Sequence, residues 1–216
     1  MSIKVLLADD HTVVRDGLRL VLEGESDIEV VDGVGTGREA VRYCSMREPD
    51  VVVMDITMPD LNGIDATRQI TALGLKTRVV MLSMHATAEH IYRSFEAGAL
   101  GYLLKESAAG EVVGAVRSVS RGRRFLGKEI ADTVVEAFIK CHGAPAEKSP
   151  LDSLSTRERE ILQLVVEGKS SLSIGTTLAI SPKTVDTCRS RLMQKLGIGD
   201  LPALVRFAIE HGIIGA

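Results

Sequence analysis

Val51-Val52-Val53-Met54-Asp55-Ile56-Thr57-Met58-Pro59 is an apolar run that stops on an aspartate. It follows Pro49-Asp50, and residues 51–54 read as a strand buried on both faces of a parallel sheet. In open α/β sheets the ligand crevice lies beyond the carboxyl ends of the strands. Such a strand would deliver Asp55 to that crevice.

Working outward, the same pattern recurs. Residues 3–8 are apolar and end in Asp9-Asp10. Residues 28–31, 78–82 and 101–104 read as further short strands, the last two ending at Ser83 and Lys105. Between and after them lie helical patterns over residues 12–23, 36–47, 62–73, 87–97 and 111–120, with Thr36 placed to cap the second and Asn62 beginning the third. Strand and helix thus alternate five times, which implies βαβ units and a parallel sheet. Right-handed crossovers leave few topologies, and the flavodoxin-like order 2-1-3-4-5 suits five strands.

The chain has 216 residues, enough for one large or two modest domains. Aromatic residues make up 3% and Trp is absent, so the core must be aliphatic. Net charge is −3. Residues 151–216 hold 8 Lys+Arg against 7 Asp+Glu, so charge alone does not prove nucleic-acid binding there. Cys44, Cys141 and Cys188 lie far apart, without zinc-type spacing. Free thiols, no membrane-length apolar run and no signal-peptide pattern point to the cytoplasm.

Residues 128–140 carry another helical pattern, and residues 141–150 have two prolines, a glycine and no apolar periodicity, as a linker would. Beyond it, Ser155-Thr156-Arg157-Glu158 has the capping-box pattern. Ser181-Pro182 supplies an N-cap followed by proline at the first helical position, and Gly168, Gly197 and Gly212 mark helix ends. Four short helices with tight turns make a small all-α domain. The expected division is 1–121, then a linker helix and flexible linker over 122–150, then 151–216.

Asp9-Asp10, Asp55, Ser83 and Lys105 all fall at strand ends facing one crevice. Any one of these is commonly a solvated strand-end residue. Their coincidence at the ends of four strands is not explained that way. Three carboxylates about 5 Å apart would repel by about 3 kcal/mol per pair at an effective dielectric near 20. A cation or protonation must relieve that. All-oxygen ligation suits Mg²⁺, and a lysine and a hydroxyl beside it suit phosphoryl oxygens. The chemistry implied is phosphoryl transfer to a carboxylate.

Leu7-Ala8-Asp9-Asp10-His11, Met54-Asp55-Ile56-Thr57-Met58-Pro59 with Gly63, Leu82-Ser83 and Gly101-Tyr102-Leu103-Leu104-Lys105 resemble the receiver domain of two-component response regulators. Leu154-Ser155-Thr156-Arg157-Glu158-Arg159-Glu160-Ile161-Leu162, Glu167-Gly168, residues 180–185 and residues 191–197 resemble the LuxR-type helix-turn-helix. Together they resemble the NarL/FixJ class over almost the whole chain. The resemblance implies that Asp55 is the phospho-acceptor. It implies Mg²⁺ on Asp10, Asp55 and the Thr57 backbone carbonyl, with Asp9 acting through metal-bound water. Ser83 would be the switch hydroxyl, Tyr102 an aromatic that turns inward, and Lys105 the phosphoryl-stabilising lysine. Pro59 and Gly63 would shape the loop after the acceptor, with His11 and His85 flanking the site. The implied partners are the phosphohistidine of a sensor histidine kinase, double-stranded promoter DNA and a second copy of the chain. The only catalysis implied is self-phosphorylation and self-dephosphorylation.

On a helical wheel for residues 182–196, Val185, Cys188, Leu192 and Leu196 share one face, and Lys183, Thr187, Ser190 and Gln194 the opposite one. The second face is the candidate for base edges; Lys183, Thr184, Arg191 and Lys195 are placed for phosphates. The direction of Arg189 is ambiguous on the wheel. Many relatives carry a basic residue where Asp186 stands, His where Cys188 stands and Asn-Lys-Glu where Ser171-Leu172-Ser173 stands. Asp186 repels phosphate but can accept from cytosine N4. Binding is then expected to depend on dimerisation, with Leu204, Val205 and Ala208 as a possible dimer face or simply as core.

Two other functions fit parts of the pattern. A haloacid-dehalogenase-like phosphatase also uses a strand-end Asp with Mg²⁺, but needs an acid/base Asp two residues later, where Thr57 stands. A DNA-binding regulator independent of phosphorylation would leave the intact acidic site without a use.

Overall fold

The computed structural model describes residues 2–84, 87–131, 133–134 and 149–214. The chain forms two compact units, Met1–Ala144 and Pro145–Ala216. The first contains β1 (Ile3–Ala8), α1 (Thr12–Glu23), β2 (Ile28–Val34), α2 (Gly37–Arg47), β3 (Val51–Asp55), α3 (Gly63–Ala72), β4 (Arg78–Ser83), α4 (Ala88–Glu96), β5 (Gly101–Leu104), α5 (Ala108–Ser120) and β6 (Phe125–Leu126). The sheet is parallel throughout, in the order β2-β1-β3-β4-β5-β6.

The alternation of side chains explains the layering. Along β3, Val52 and Met54 point into one apolar layer with Ala40, Cys44, Ile64 and Ile70 of α2 and α3. Val51 and Val53 point into the other, with Leu18 and Leu22 of α1 and Val112, Val116 and Val119 of α5. Every residue of β3 is buried, as a central strand covered by helices on both faces must be. Thr36, Asn62 and Thr87 cap α2, α3 and α4 by accepting the backbone N–H of Glu39, Asp65 and His90.

The sheet has one strand more than the sequence pattern gives. Phe125–Leu126, expected in the connecting segment, pairs in parallel with β5. Phe125 N–H donates to Leu100 O and Gly127 N–H to Tyr102 O. Residues 128–131 and 133–134 are helical, and Ile130 is fully buried against the layer of α2 and α3. A two-residue strand has no period to detect, and the preceding Arg121-Gly122-Arg123-Arg124 reads as loop. The remainder of the expected linker helix and of the linker up to residue 148 lies outside the described residues. β2 also runs on to Val34, because its ladder to β1 continues past Asp32-Gly33 after an irregularity at Val5/Leu6.

The second unit starts with a 3₁₀ turn (Pro150–Ser153), followed by α6 (Thr156–Val166), α7 (Ser171–Leu178), α8 (Pro182–Leu196) and α9 (Leu201–Glu210). Ser155 and Glu158 form the expected reciprocal capping box. The core gathers Leu154, Ile161, Leu162, Ile174, Val185 and Leu192. Leu204 and Ala208 are fully buried in that same core, the second of the two uses expected for them. Val205 is half-buried, and the exposed apolar residues of α9 are Leu201 and Ile209. The ten-residue helix carries apolar side chains on two stripes, and the wheel alone does not say which one faces inward.

Leu204→Ala is expected to destabilise the second unit by about 2–4 kcal/mol through the cavity it leaves. A urea titration monitored by helical circular dichroism would show it; an unchanged midpoint would mean that Leu204 is not core.

Candidate functional site

Register brings the site together. Ala8 pairs with Met54, Asp55 with Leu82, and Ser83 with Leu104. Asp9, Asp55, Ser83 and Lys105 therefore emerge side by side at one end of the sheet. Two backbone bonds across the strand ends hold the alignment: Ile56 N–H to Leu82 O at 3.0 Å and Lys105 N–H to Ser83 O at 2.8 Å. The chain after Asp55 turns tightly beneath α3. Gly63 N–H donates to Ile56 O at 2.8 Å, and a Cβ on Gly63 would lie 1.9 Å from Asp55 O. Only glycine fits that approach.

Asp9 and Asp55 are 1% and 2% exposed. The Lys105 ammonium lies 2.8 Å from Asp9 Oδ2 and 2.8 Å from Asp55 Oδ2. Thr57 N–H donates to Asp55 Oδ1 at 3.4 Å. His11 N–H donates to Asp9 Oδ1 at 2.8 Å, and His11 Nδ1 lies 2.8 Å from Asp10 Oδ1. Asp10 is the exposed member, its side chain 36% accessible. Ligand atoms of Asp9, Asp10, His11 and Asp55 all lie within 4.8 Å of one another.

One lysine does not balance this charge. Burial, and then the charge of Asp9, push the Asp55 carboxyl up to about 6, although Lys105 and Thr57 N–H pull the other way. Burial also works against the charge on Lys105, but its bonds to Asp55 and Asp9 outweigh that and raise its pKa. The three carboxylates supply a hard oxygen donor set open to solvent at Asp10, which fits a small divalent cation such as Mg²⁺. His11 joins the cluster more closely than a flanking role implies; its signal was its place directly after Asp9-Asp10.

Ser83 is 3% exposed and Tyr102 is fully buried. Burial pushes the Tyr102 phenol up to about 12, offset in part by a hydrogen bond with Ser83. Tyr102 was expected to turn inward on phosphorylation. Here it is already inside and engaged with Ser83. His85 lies outside the described residues.

In the second unit, Ser181 caps α8 by accepting Thr184 N–H at 3.1 Å. Val185 and Leu192 are buried, and Lys183, Thr184, Thr187, Ser190, Arg191 and Gln194 are exposed, as the wheel expects. Lys195 is also exposed, but its ammonium lies 2.7 Å from Glu158 Oε2 and donates to Ser153 O at 3.2 Å, which ties it to the capping box. Burial opposes the charge on Glu158, but Lys195 and the Ser155 bonds hold its carboxyl down at about 2. Lys169 is exposed beside the cap of α7, and a single charged residue in a turn carries no pattern that would single it out.

Residues 5–117 match the response regulator receiver domain model, and residues 152–208 match the model of bacterial regulatory proteins of the luxR family. The response regulator UvrY of Escherichia coli K12 is 38% identical over 99% of this chain and 97% of its own length. The transcriptional regulatory protein LiaR of Bacillus subtilis is 39% identical over 98% of this chain and 99% of its own. Among solved structures, the response regulator ChrA of a heme-sensing two-component system superposes with a TM-score of 0.53 at 36% identity, over 99% of each chain.

Two predictions follow from the two charge clusters. Asp55 titrates above its ordinary 3.8, so it contributes stability only at low pH and loses it as pH rises through about 6. Without divalent ions Asp55→Asn should therefore be more stable than the parent at pH 7, by about 3 kcal/mol. Mg²⁺ should raise the melting temperature of the parent and not of the variant; a variant no more stable than the parent would refute the charge argument. Glu158 titrates below its ordinary 4.5. Its contribution is present above that pH and is lost as pH falls towards 2. Lys195→Met should flatten the pH dependence of the urea midpoint in that window.

Proposed function

The chain belongs to the two-component response regulators, with a receiver domain and a LuxR-type DNA-binding domain, and from this we propose that Asp55 is its phospho-acceptor. The observation that carries the proposal is the Lys105 ammonium held 2.8 Å from both buried carboxylates, Asp9 and Asp55. An Asp55 oxygen attacks the phosphorus of a phosphohistidine on a sensor kinase. The P–N bond breaks, and the imidazole leaves with the electron pair. Lys105, already drawn to this point, balances charge on the phosphoryl oxygens. Bound Mg²⁺ would supply further neutralisation, held by Asp10, Asp55 and the Thr57 carbonyl, with Asp9 acting through water. Ser83 lies beside Asp55 on the neighbouring strand and donates to the phosphoryl group, which requires it to leave Tyr102.

The same reading assigns 1–121 to reception, 122–150 to the connection, with β6 serving the receiver sheet, and 151–216 to DNA. On α8, Lys183, Thr187, Ser190 and Gln194 face base edges, and Thr184 and Arg191 face phosphates; Lys169 joins the phosphate contacts in place of Lys195. A homodimer brings two recognition helices to a two-fold site, with the exposed Leu201 and Ile209 of α9 available to it. No helix among the described residues is long and apolar enough to cross a membrane, and Cys44 and Cys188 are free thiols. We place the protein in the cytoplasm, acting on no substrate beyond its own acyl phosphate.

A second reading, DNA binding without phosphorylation, has one observation in its favour: Tyr102 is already buried and bonded to Ser83. Footprinting of genomic fragments separates the two. Acetyl phosphate or beryllofluoride with Mg²⁺ should raise affinity by about tenfold or more, and Asp55→Ala should abolish the rise. Equal binding by the untreated parent, the treated parent and Asp55→Ala would establish the second reading.

A further inference from the structure

Asp186 is the only acidic residue of α8, and it is exposed. It lies three residues after Lys183 and one helical turn before Ser190, at the edge of the face that carries the candidate base contacts. A carboxylate on that face meets a polyanion. Among the described residues, no cation pairs with it. Its recorded partner is neutral: Ser171 Oγ donates to Asp186 Oδ1 at 2.5 Å.

Ser171 is the first residue of α7, whose cap is made by Ser170 through the Ser173 N–H. The Ser171 hydroxyl is therefore not used in capping. By donating to Oδ1 it fixes the direction of the carboxylate, and leaves Oδ2 to accept from outside. An oriented acceptor with no donor of its own is selective in the major groove. Guanine presents two acceptors there, thymine an acceptor and a methyl, and adenine an acceptor beside its donor. Cytosine alone presents a donor without an adjacent acceptor.

We propose that Asp186, aimed by Ser171, reads cytosine in each half-site, and that this pair is a determinant of which DNA the protein selects. The inference rests on the reading of α8 as the helix that enters the major groove.

Selection of randomised duplexes by the full-length protein, treated with beryllofluoride and Mg²⁺, tests it. The parent should enrich a two-fold site with cytosine favoured by about tenfold at one position of each half. Asp186→Ala should flatten that position and leave the others. Asp186→Asn, which pairs an acceptor with a donor, should move the preference to adenine. Ser171→Ala should weaken the cytosine preference without shifting it. A cytosine preference that survives Asp186→Ala would overturn the proposal. So would tighter binding by Asp186→Ala to every sequence alike, because the carboxylate would then act only by repulsion. If the parent enriches no sequence at all, the assignment of α8 to DNA fails, and this inference with it.

Discussion

Everything in the first unit depends on two buried carboxylates and a third beside them, held against a single ammonium at the ends of parallel strands. Asp9 and Asp55 are almost fully buried, with Lys105 between them. That arrangement is electrostatically unsatisfied, and the fold tolerates it because the sheet is otherwise saturated with apolar contacts. β3 buries every side chain, and a slip of its register would carry the Asp55 carboxylate away from the ammonium that compensates its burial. The strand that fixes the core also fixes Asp55. A one-residue slip would move Asp55 away from Asp9 and Lys105 together. The close approach of Gly63 to the Asp55 carbonyl ties the following loop to the same point.

The second unit handles charge in the opposite way. Glu158 is buried, but it closes a capping box and accepts from Lys195. Its charge is spent inside the domain, pinning the start of α6 to the end of α8. The outward face of α8 then carries Lys183, Arg191, one aspartate, three hydroxyls and one amide. Such a face gives little non-specific attraction to phosphates. On the proposed reading of α8, discrimination would come from directed hydrogen bonds, with Asp186 held by Ser171 as an acceptor.

The fold was largely legible because its signals are periodic. Apolar runs ending in polar residues gave β1, β3, β4 and β5, and the capping residues Thr36, Asn62, Ser155 and Ser181 marked helix starts that the structure keeps. What escaped had no period or two competing ones. Phe125–Leu126 is too short to repeat. On α9 both stripes are apolar, so Leu204 and Ala208 could be core or interface until packing decided. The tie of Lys195 to the capping box was hidden because its partner, Glu158, lies far away in sequence. The candidate site was legible in its members, since each stands at a strand end. Its geometry was not, because the ion pairs to Lys105 depend on register between strands and not on any local pattern.

Tyr102 shows where residue identity stops being informative about state. Its sequence position puts it on β5, two strands from Asp55, with Ser83 on β4 between them. In this structure the inward position is stabilised by apolar packing and by Ser83. A phosphoryl group on Asp55 would compete for the same hydroxyl. Ser83 is thus shared between two partners, one on each side, and the free energy difference between them sets the resting balance. Because the Tyr102 ring is already buried, moving Ser83 towards Asp55 removes only its hydrogen bond and not its packing. The coupling available to phosphorylation through this pair is then of the size of one buried hydrogen bond, about 1 kcal/mol. In the proposed dimer, a small shift in each copy would count twice.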